Sequence, residues 1–335
     1  MMKKILISFL FSLSLYICAA QTQNAAELHE TAKVFMRQGD YANAVLVLNR
    51  SLQLEPRNIS MAKDLALSYY FQKDNNKALE IIKPVLDRDD ADDQSFQIAG
   101  NIYKQLDLPK ECEKLYKKGL KKFPDSGPLY NELGELQWAQ KDFEAIVQWE
   151  KGIQLDPSYS RNYYNAAKYY FFTPDKVWSI LYGEIFINME PQSSKAPEIK
   201  QLLLDSYKKL YTDADLEQNN KDKNLFAKAY LQAMNKQTPV AASGINTESL
   251  TMIRTRFILA WYNTLQNKFP FKLFEYHQQL LREGMFDAYN EWLFAPAENL
   301  SAYQNWISTH AAENKAFTDF QQGRIFKIPQ AQYYH

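Results

Sequence analysis

Apolar and polar positions follow helical spacing through most of the chain, and GDYANAVLVLNRSLQLEP, residues 39–56, shows the pattern in one segment. It opens on a polar turn, places Ala44, Val45, Leu48 and Leu52 in one stripe, and closes on Pro56. Apolar residues three and four apart share one side of a helix, so the spacing predicts an amphipathic helix with one sticky face. Proline ends it, because the ring cannot continue a helix and disfavours helical backbone just before itself. Nothing within the segment covers the stripe.

The cover is supplied by repetition. Stepping 34 residues from Ala44 reaches Ala78 and then Cys112; a step of 33 reaches Ala145, and a further 34 reaches Ser179. Each of these anchors is small and follows a polar turn: QGDYANA, QKDNNKA, QLDLPKEC, AQKDFEA and FTPDKVWS. Twelve residues beyond them stand the helix stops Pro56, Asp90, Pro124, Pro157 and Pro191. The preceding helix repeats too, with a small residue at Ala32, Ala66, Gly100, Gly134 and Ala167. Bulky neighbours accompany each one: Leu28 and Phe35, Leu65 and Tyr69, Phe96 and Tyr103, Leu129 and Leu133, Tyr163 and Tyr170. Small residues let two helices approach closely, and the large ones fill the space beside them.

In this the chain resembles the tetratricopeptide repeat (TPR), a 34-residue helix-turn-helix unit. The resemblance covers five repeats over residues 25–191 and implies an all-α fold. Its architecture would be a TPR α-solenoid, a right-handed superhelix in which each unit is covered by the next and none is stable alone. The departures are local. The tryptophan often found early in the first helix is replaced by Leu28, Ala62, Phe96, Leu129 and Tyr163. The second unit lacks its closing proline, and the fourth turn is one residue shorter.

Beyond the repeats, residues 192–236 read as a degenerate sixth repeat or cap, with PEIKQLLLDSYKKLY and NLFAKAYLQAM as its helices. The polar run between them is far longer than a TPR turn. KQTPVAASGINTES, residues 236–249, is rich in turn formers and predicts a boundary. Residues 247–335 then read as a helical, aromatic-rich C-terminal module without a 34-residue register. Its helices are expected to include segments at 285–294 and 301–321. Its dense rings, among them Trp261, Phe271, Phe274, Tyr276, Phe286, Tyr289, Trp292, Phe294, Tyr303 and Trp306, fit either an aromatic core packed against the last repeats or an exposed patch for a partner or a sugar.

The N-terminus changes the picture of where this happens. Lys3 and Lys4 precede an apolar run from Ile5 to Ile17 and a small-residue end at Cys18, Ala19 and Ala20. That is the form of a secretory signal peptide, residues 1–20, cleaved after Ala20 and too short to span a bilayer. The expected location is therefore exported, in the periplasm or on the outer surface. A lipid anchor at Cys18 is the minor alternative: Leu15 is suitably placed, but Ile17 stands where a small residue is expected. Without Lys3 and Lys4 the chain carries 37 basic against 39 acidic residues, which gives no field to gather nucleic acid. Cys112 would be the lone cysteine, unable to form an internal disulfide. No later stretch is long and apolar enough to cross a membrane.

No catalytic constellation is visible. His29, His277, His310 and His335 are scattered without metal-ligand spacing, and ten glycines leave no phosphate-cradling loop. Cys112 sits at a packing anchor, and DRDDADD lacks the glycine and terminal glutamate of a calcium loop. The expectation is a protein that is not an enzyme and uses no cofactor or metal. The TPR resemblance instead implies a ligand groove lined by the fifth, ninth and twelfth residue of each unit. These are His29, Lys33 and Met36; Lys63, Leu67 and Tyr70; Gln97, Asn101 and Lys104; Asn131, Glu135 and Trp138; Tyr164, Lys168 and Phe171. Aromatics, amides and cations in one groove suit a peptide. The family's clamp for a terminal carboxylate carries Lys and Asn at the first two of these positions; His29 and Lys33 do not reproduce it. The function expected is a protein-binding or peptide-binding scaffold of the bacterial cell envelope. The alternative is a carbohydrate or cell-wall factor read by the aromatic module.

Overall fold

The computed structural model describes residues 24–212, 216 and 224–335. The signal peptide, its cleavage after Ala20 and the Cys18 anchor lie outside the described residues. The chain packs as two units, one up to Tyr116 and one from Lys117 onward.

The first unit contains α1 (Ala25–Arg37), α2 (Tyr41–Leu54), α3 (Ile59–Phe71), α4 (Asn75–Leu86), α5 (Asp93–Gln105) and the start of α6 (Pro109–Lys122). Asn24, Asp40, Asn58, Asp74 and Asp92 cap their helices by accepting the backbone N–H three residues on. Such caps satisfy amides that the helix leaves without an internal partner. The second unit contains α7 (Gly127–Ala139), α8 (Ala145–Leu155), α9 (Ser160–Phe171), α10 (Lys176–Met189), α11 (Ala196–Leu210) and α12 (Leu225–Asn235). A short turn, α13 (Thr238–Ala241), leads to α14 (Thr247–Thr264), α15 (Lys272–Arg282), α16 (Phe286–Glu298), α17 (Leu300–Thr309) and α18 (Ala311–Gln322).

The repeat seen in the sequence is repeated in the backbone. Gly39, Lys73, Asp107 and Lys141 all have φ between 54° and 76°, and each stands 34 residues after the last. The residue after each closes the same turn: Asp40, Asp74, Leu108 and Asp142 donate to the carbonyls of Phe35, Tyr69, Tyr103 and Gln137 at 2.9–3.0 Å. This is the left-handed close of a helix that ties back its last carbonyls. The fifth turn differs: Asp175 has φ −77° and caps α10 through Val177 N.

All five anchors, Ala44, Ala78, Cys112, Ala145 and Ser179, are fully buried. Four residues beyond the first four stand Leu48, Ile82, Tyr116 and Trp149, which grow as the small residue of the preceding helix shrinks from Ala32 and Ala66 to Gly100 and Gly134. A Cβ on Gly100 would lie 2.1 Å from the Tyr116 hydroxyl, and one on Gly134 would lie 2.4 Å from Trp149 Nε1. The two polar anchors bond to the helix before: Cys112 Sγ to the Gly100 carbonyl at 3.5 Å, and Ser179 Oγ to the Ala167 carbonyl at 3.1 Å.

The turn-rich stretch 236–249 does not separate two cores. One apolar cluster runs from Ala145 through Trp178, Phe226 and Trp261 to Ile328. The helices expected to form a sixth hairpin also part company. α11 packs on α10 and α16, where Tyr207 meets Phe294 edge-on at 5.7 Å, while α12 packs on α10 and α14. α12 touches the end of α11 where Tyr211 donates to the Met234 carbonyl at 3.0 Å. The single segment expected at 301–321 is broken at His310, which stacks on Trp306 at 4.9 Å as α17 ends.

Within this core lies a buried ionic network. Glu184 of α10 accepts from Arg254 of α14, from His277 Nε2 of α15 at 2.8 Å and from the Tyr289 hydroxyl of α16 at 2.7 Å. Arg254 also donates to Asn290 and is surrounded by the rings of Phe286, Tyr289 and Phe294 at 5.1–5.4 Å. Four helices are thereby fixed by one carboxylate. Burial alone would raise its pKa, but Arg254, His277 and Tyr289 outweigh that and hold it down to about 2.

Candidate functional site

The positions expected to line a groove lie on α1, α3, α5, α7 and α9. In the first unit much of this face is bonded along the stack. His29 is buried, with Nε2 2.7 Å from Asp64 Oδ2 of the next first helix. Lys63 pairs with Asp92 and donates to Gln94 Oε1 at 2.8 Å. Lys33 pairs with Glu30 of its own helix at 2.8 Å. Tyr70 is half-buried and meets Phe71 edge-on at 5.3 Å. Met36, Leu67, Gln97, Asn101 and Lys104 are also half-buried.

The second unit continues the same kind of rung. Asn165 Nδ2 of α9 donates to Asn131 Oδ1 at 2.8 Å and to Glu135 Oε1 at 3.1 Å. Asn131 is completely buried, so it ties α7 to α9 and presents no atoms to a ligand. Trp138 is 39% exposed and joins Phe143, Trp149 and Tyr169 in a ring cluster at 5.8–6.0 Å.

Tyr164, Lys168 and Phe171 form the densest group. The Tyr164 hydroxyl, nearly buried, donates to Glu198 Oε2 of α11 at 2.6 Å, and Lys168 Nζ lies 2.6 Å from Glu198 Oε1. Burial acts against both charges, but their pairing outweighs it, raising the Lys168 pKa and lowering that of Glu198. Lys195 sits 4.1 Å from the Tyr164 ring, and Lys209 sits 3.6 Å from the Phe171 ring. Lys176 donates to the Phe171 carbonyl at 2.9 Å; burial and the neighbouring Lys209 lower its pKa. Among the described residues, two rings are therefore flanked by four lysines, with Glu198 and Asp175 the carboxylates beside them. Cations over aromatic faces are attracted by the ring quadrupole, and a cationic excess beside a half-buried phenylalanine suits an acidic ligand with an apolar side chain.

The sequence pattern gave the first-helix positions but not their partners. Asp64, Asp92, Asn165 and Glu198 come from the first helix of the following unit or its cap, and nothing in one helix's periodicity names the residue that faces it across a gap. Asp64 and Asn165 share the sixth position of their units, a recurrence that was readable but lay outside the ligand-facing positions of the family.

The aromatic module does not offer a flat exposed face. Trp261, Phe271, Phe274, Tyr276, Phe286, Tyr289 and Phe294 are all buried, while Trp292, Tyr303 and Trp306 are half-buried. A polar cavity of about 700 Å³ lies beside it, with Tyr262, Tyr276, Arg282, Arg324 and Phe326 in its wall. Among the described residues, no three or more His, Cys, Asp or Glu gather where a metal could be held, and no helix is long and apolar enough to cross a membrane.

No family model matches the chain, and no curated protein sequence does. Among solved structures it is similar to a TPR protein of Thermus thermophilus, at 13% identity over 55% of this chain and 98% of that one, TM-score 0.44. It is also similar to a TPR protein of Parabacteroides merdae, at 15% identity over 72% of this chain and 94% of that one, TM-score 0.42. A third is YrrB, described as a TPR protein with an unusual peptide-binding site, at 15% identity over 55% of this chain and 92% of that one, TM-score 0.37. The chain's own geometry carries the fold: paired helices, turns of one conformation 34 residues apart, and small residues seated against large ones are those of a tetratricopeptide-repeat-like α-solenoid.

Proposed function

We propose that this chain is a non-catalytic scaffold of the bacterial cell envelope that binds a protein or peptide on its first-helix faces. The observation that carries the reading is the Tyr164–Lys168–Phe171 group with Lys195 and Lys209, where half-buried aromatic surface meets an excess of lysine over carboxylate among the described residues. Its ligand would be an acidic peptide segment with an apolar residue for the Phe171 ring. Charge would steer the encounter and apolar burial would hold the complex.

Peptide display against residues 21–335 tests this, with Phe171→Ala/Lys209→Glu as the counter-target. Selected sequences should be enriched in acidic residues next to apolar ones and should bind the double variant at least tenfold more weakly. Selection of no sequence above background, or equal binding to both proteins, would contradict the reading. The envelope location rests on the N-terminal pattern and is tested by the mature end: Gln21 indicates export as a free protein, and an acylated Cys18 indicates a tether.

A further inference from the structure

Residues 324–335 leave α18 and run back, mostly extended, over α8, α9 and α10 and the starts of α12 and α15. They are held chiefly through side chains. Gln330 Nε2 donates to the Leu155 carbonyl at 3.3 Å, and Gln332 Oε1 accepts from Lys272 N at 2.6 Å. Tyr334 lies flat on Phe226, with centroids 4.5 Å apart and planes within 5°, and its hydroxyl donates to the Pro270 carbonyl at 2.6 Å. The His335 ring meets Trp178 edge-on at 4.8 Å; its Nδ1 lies 2.7 Å from Glu150 Oε2 and its Nε2 lies 2.8 Å from the Tyr170 hydroxyl.

This segment fills the groove imperfectly. Beneath it the Tyr163 and Tyr182 hydroxyls and the Trp178 indole N–H are buried without a hydrogen-bond partner among the described residues. These three side chains adjoin, with ring centroids 5.4 Å apart for Trp178 and Tyr182 and 5.7 Å for Tyr163 and Tyr182. They line a small space together with Ile328, Pro329 and Tyr333. Its free volume, about 10 Å³, admits one water at most. Burial pushes both phenols well above their ordinary pKa, so they stay neutral donors. Buried polar groups in folded proteins are nearly always paired, and each unpaired one counts against the arrangement that buries it. Three such donors beneath one extended segment leave it less firmly held than a fully paired one, and so open to displacement by a like peptide.

We infer that the groove across α8, α9, α10 and α12 is a second peptide-binding site, occupied in cis by residues 328–335. Its ligand is an extended peptide with two adjacent aromatic residues followed by an imidazole or cationic side chain. The occupying segment defines that chemistry: an aromatic ring for Phe226, and a basic group for Glu150. A tethered occupant competes at an effective concentration on the order of millimolar, so an incoming peptide binds weakly until the segment's own anchors are loosened. The site lies on different residues from the Phe171–Lys209 face and does not depend on it.

The test uses a labelled octapeptide of residues 328–335, Ile-Pro-Gln-Ala-Gln-Tyr-Tyr-His, as probe. Full-length Tyr334→Ala/His335→Ala should bind it at least tenfold more tightly than the parent does, and adding Glu150→Gln should remove the gain. Phe171→Ala/Lys209→Glu should bind the probe as the parent does, which separates this site from the first-helix face. No gain in a double variant that melts like its parent overturns the inference. If the double variant melts differently, amide exchange in the parent decides. Excess unlabelled peptide should accelerate exchange across 328–335, and unchanged exchange at saturating peptide overturns the inference.

Discussion

At Lys73, Asp107 and Lys141 the chain places a side chain in left-handed backbone, where Gly39 places none. A residue with a Cβ pays about 1–2 kcal/mol for that conformation, part of which glycine's extra freedom in the unfolded chain takes back. Lys141→Gly is therefore expected to stabilise by about 0.5–1 kcal/mol, read as a higher urea midpoint. Gly134→Ala should do the opposite. Alanine is the better helix former by about 1 kcal/mol, yet its Cβ would collide with Trp149, which is 2% exposed and hemmed in. The clash should prevail, with a net loss of about 1–3 kcal/mol typical of overpacked cores. Acid should act through Glu184 and His277. Burial lowers the His277 pKa from 6.5 more than the Glu184 charge raises it, and Glu184 is held at about 2 against an ordinary 4.5. Both groups take a proton less readily folded than unfolded, so the unfolded chain binds more protons as pH falls. The stability contributed is full above the ordinary histidine range, declines below pH 6.5, and declines again from 4.5 towards 2. The melting temperature should fall between pH 7 and 5, and His277→Asn should flatten that part of the profile. An unchanged slope would mean that His277 is not the group responsible.

At the scale of the element, a helix and its hairpin partner are legible from sequence while the more distant helices that cover them are not. The stripe on α2 gave the helix, and the 34-residue interval gave its partner, because both patterns lie along one chain. The pairing of α11 with α16 was hidden. Leu203, Leu204 and Tyr207 show only that α11 has a face to bury, and a helix about ninety residues away covers it as well as the nearby α12 would. The break at His310 was hidden for a related reason: the apolar spacing runs on across it, and the turn is set by local bonds of Thr309 and His310 to Asn305 and Trp306. The polar rungs were legible in part. Asp92 both caps α5 through Ser95 N at 2.9 Å and pairs with Lys63. Asp92→Ala should cost about 1–2 kcal/mol, mostly as the lost cap. Asp93→Ala, which leaves the cap in place, should cost much less in the same urea titration.

For the whole molecule, turn formers at 236–249 suggested a domain boundary, while the aromatic residues beyond it suggested a core packed against the last repeats. Composition reports where the backbone bends; it does not report whether the side chains beyond the bend share a core with those before it. Here they do. Arg254 and His277 find their carboxylate on α10, and Trp261 meets Phe226 of α12 at 5.5 Å. Residues 247–335 expressed alone should therefore show no cooperative thermal transition by circular dichroism, whereas residues 21–335 should show one. The same burial explains why aromatic density in the sequence did not distinguish a core from a binding face: a phenylalanine pattern has the same spacing in either case, and only the presence of Glu184, Phe226 and Trp178 opposite it decides.

On the reading proposed above, the first-helix face around Phe171 holds a protein partner. This is tested most directly by placing a photo-crosslinking amino acid at Phe171 in the native host cell, with the exposed Leu259 of α14 as the comparison position. A discrete adduct to another protein from position 171, absent from position 259 and lost when Lys209→Glu is added, is the predicted result. No adduct from position 171, or the same adducts from both positions, would contradict the claim.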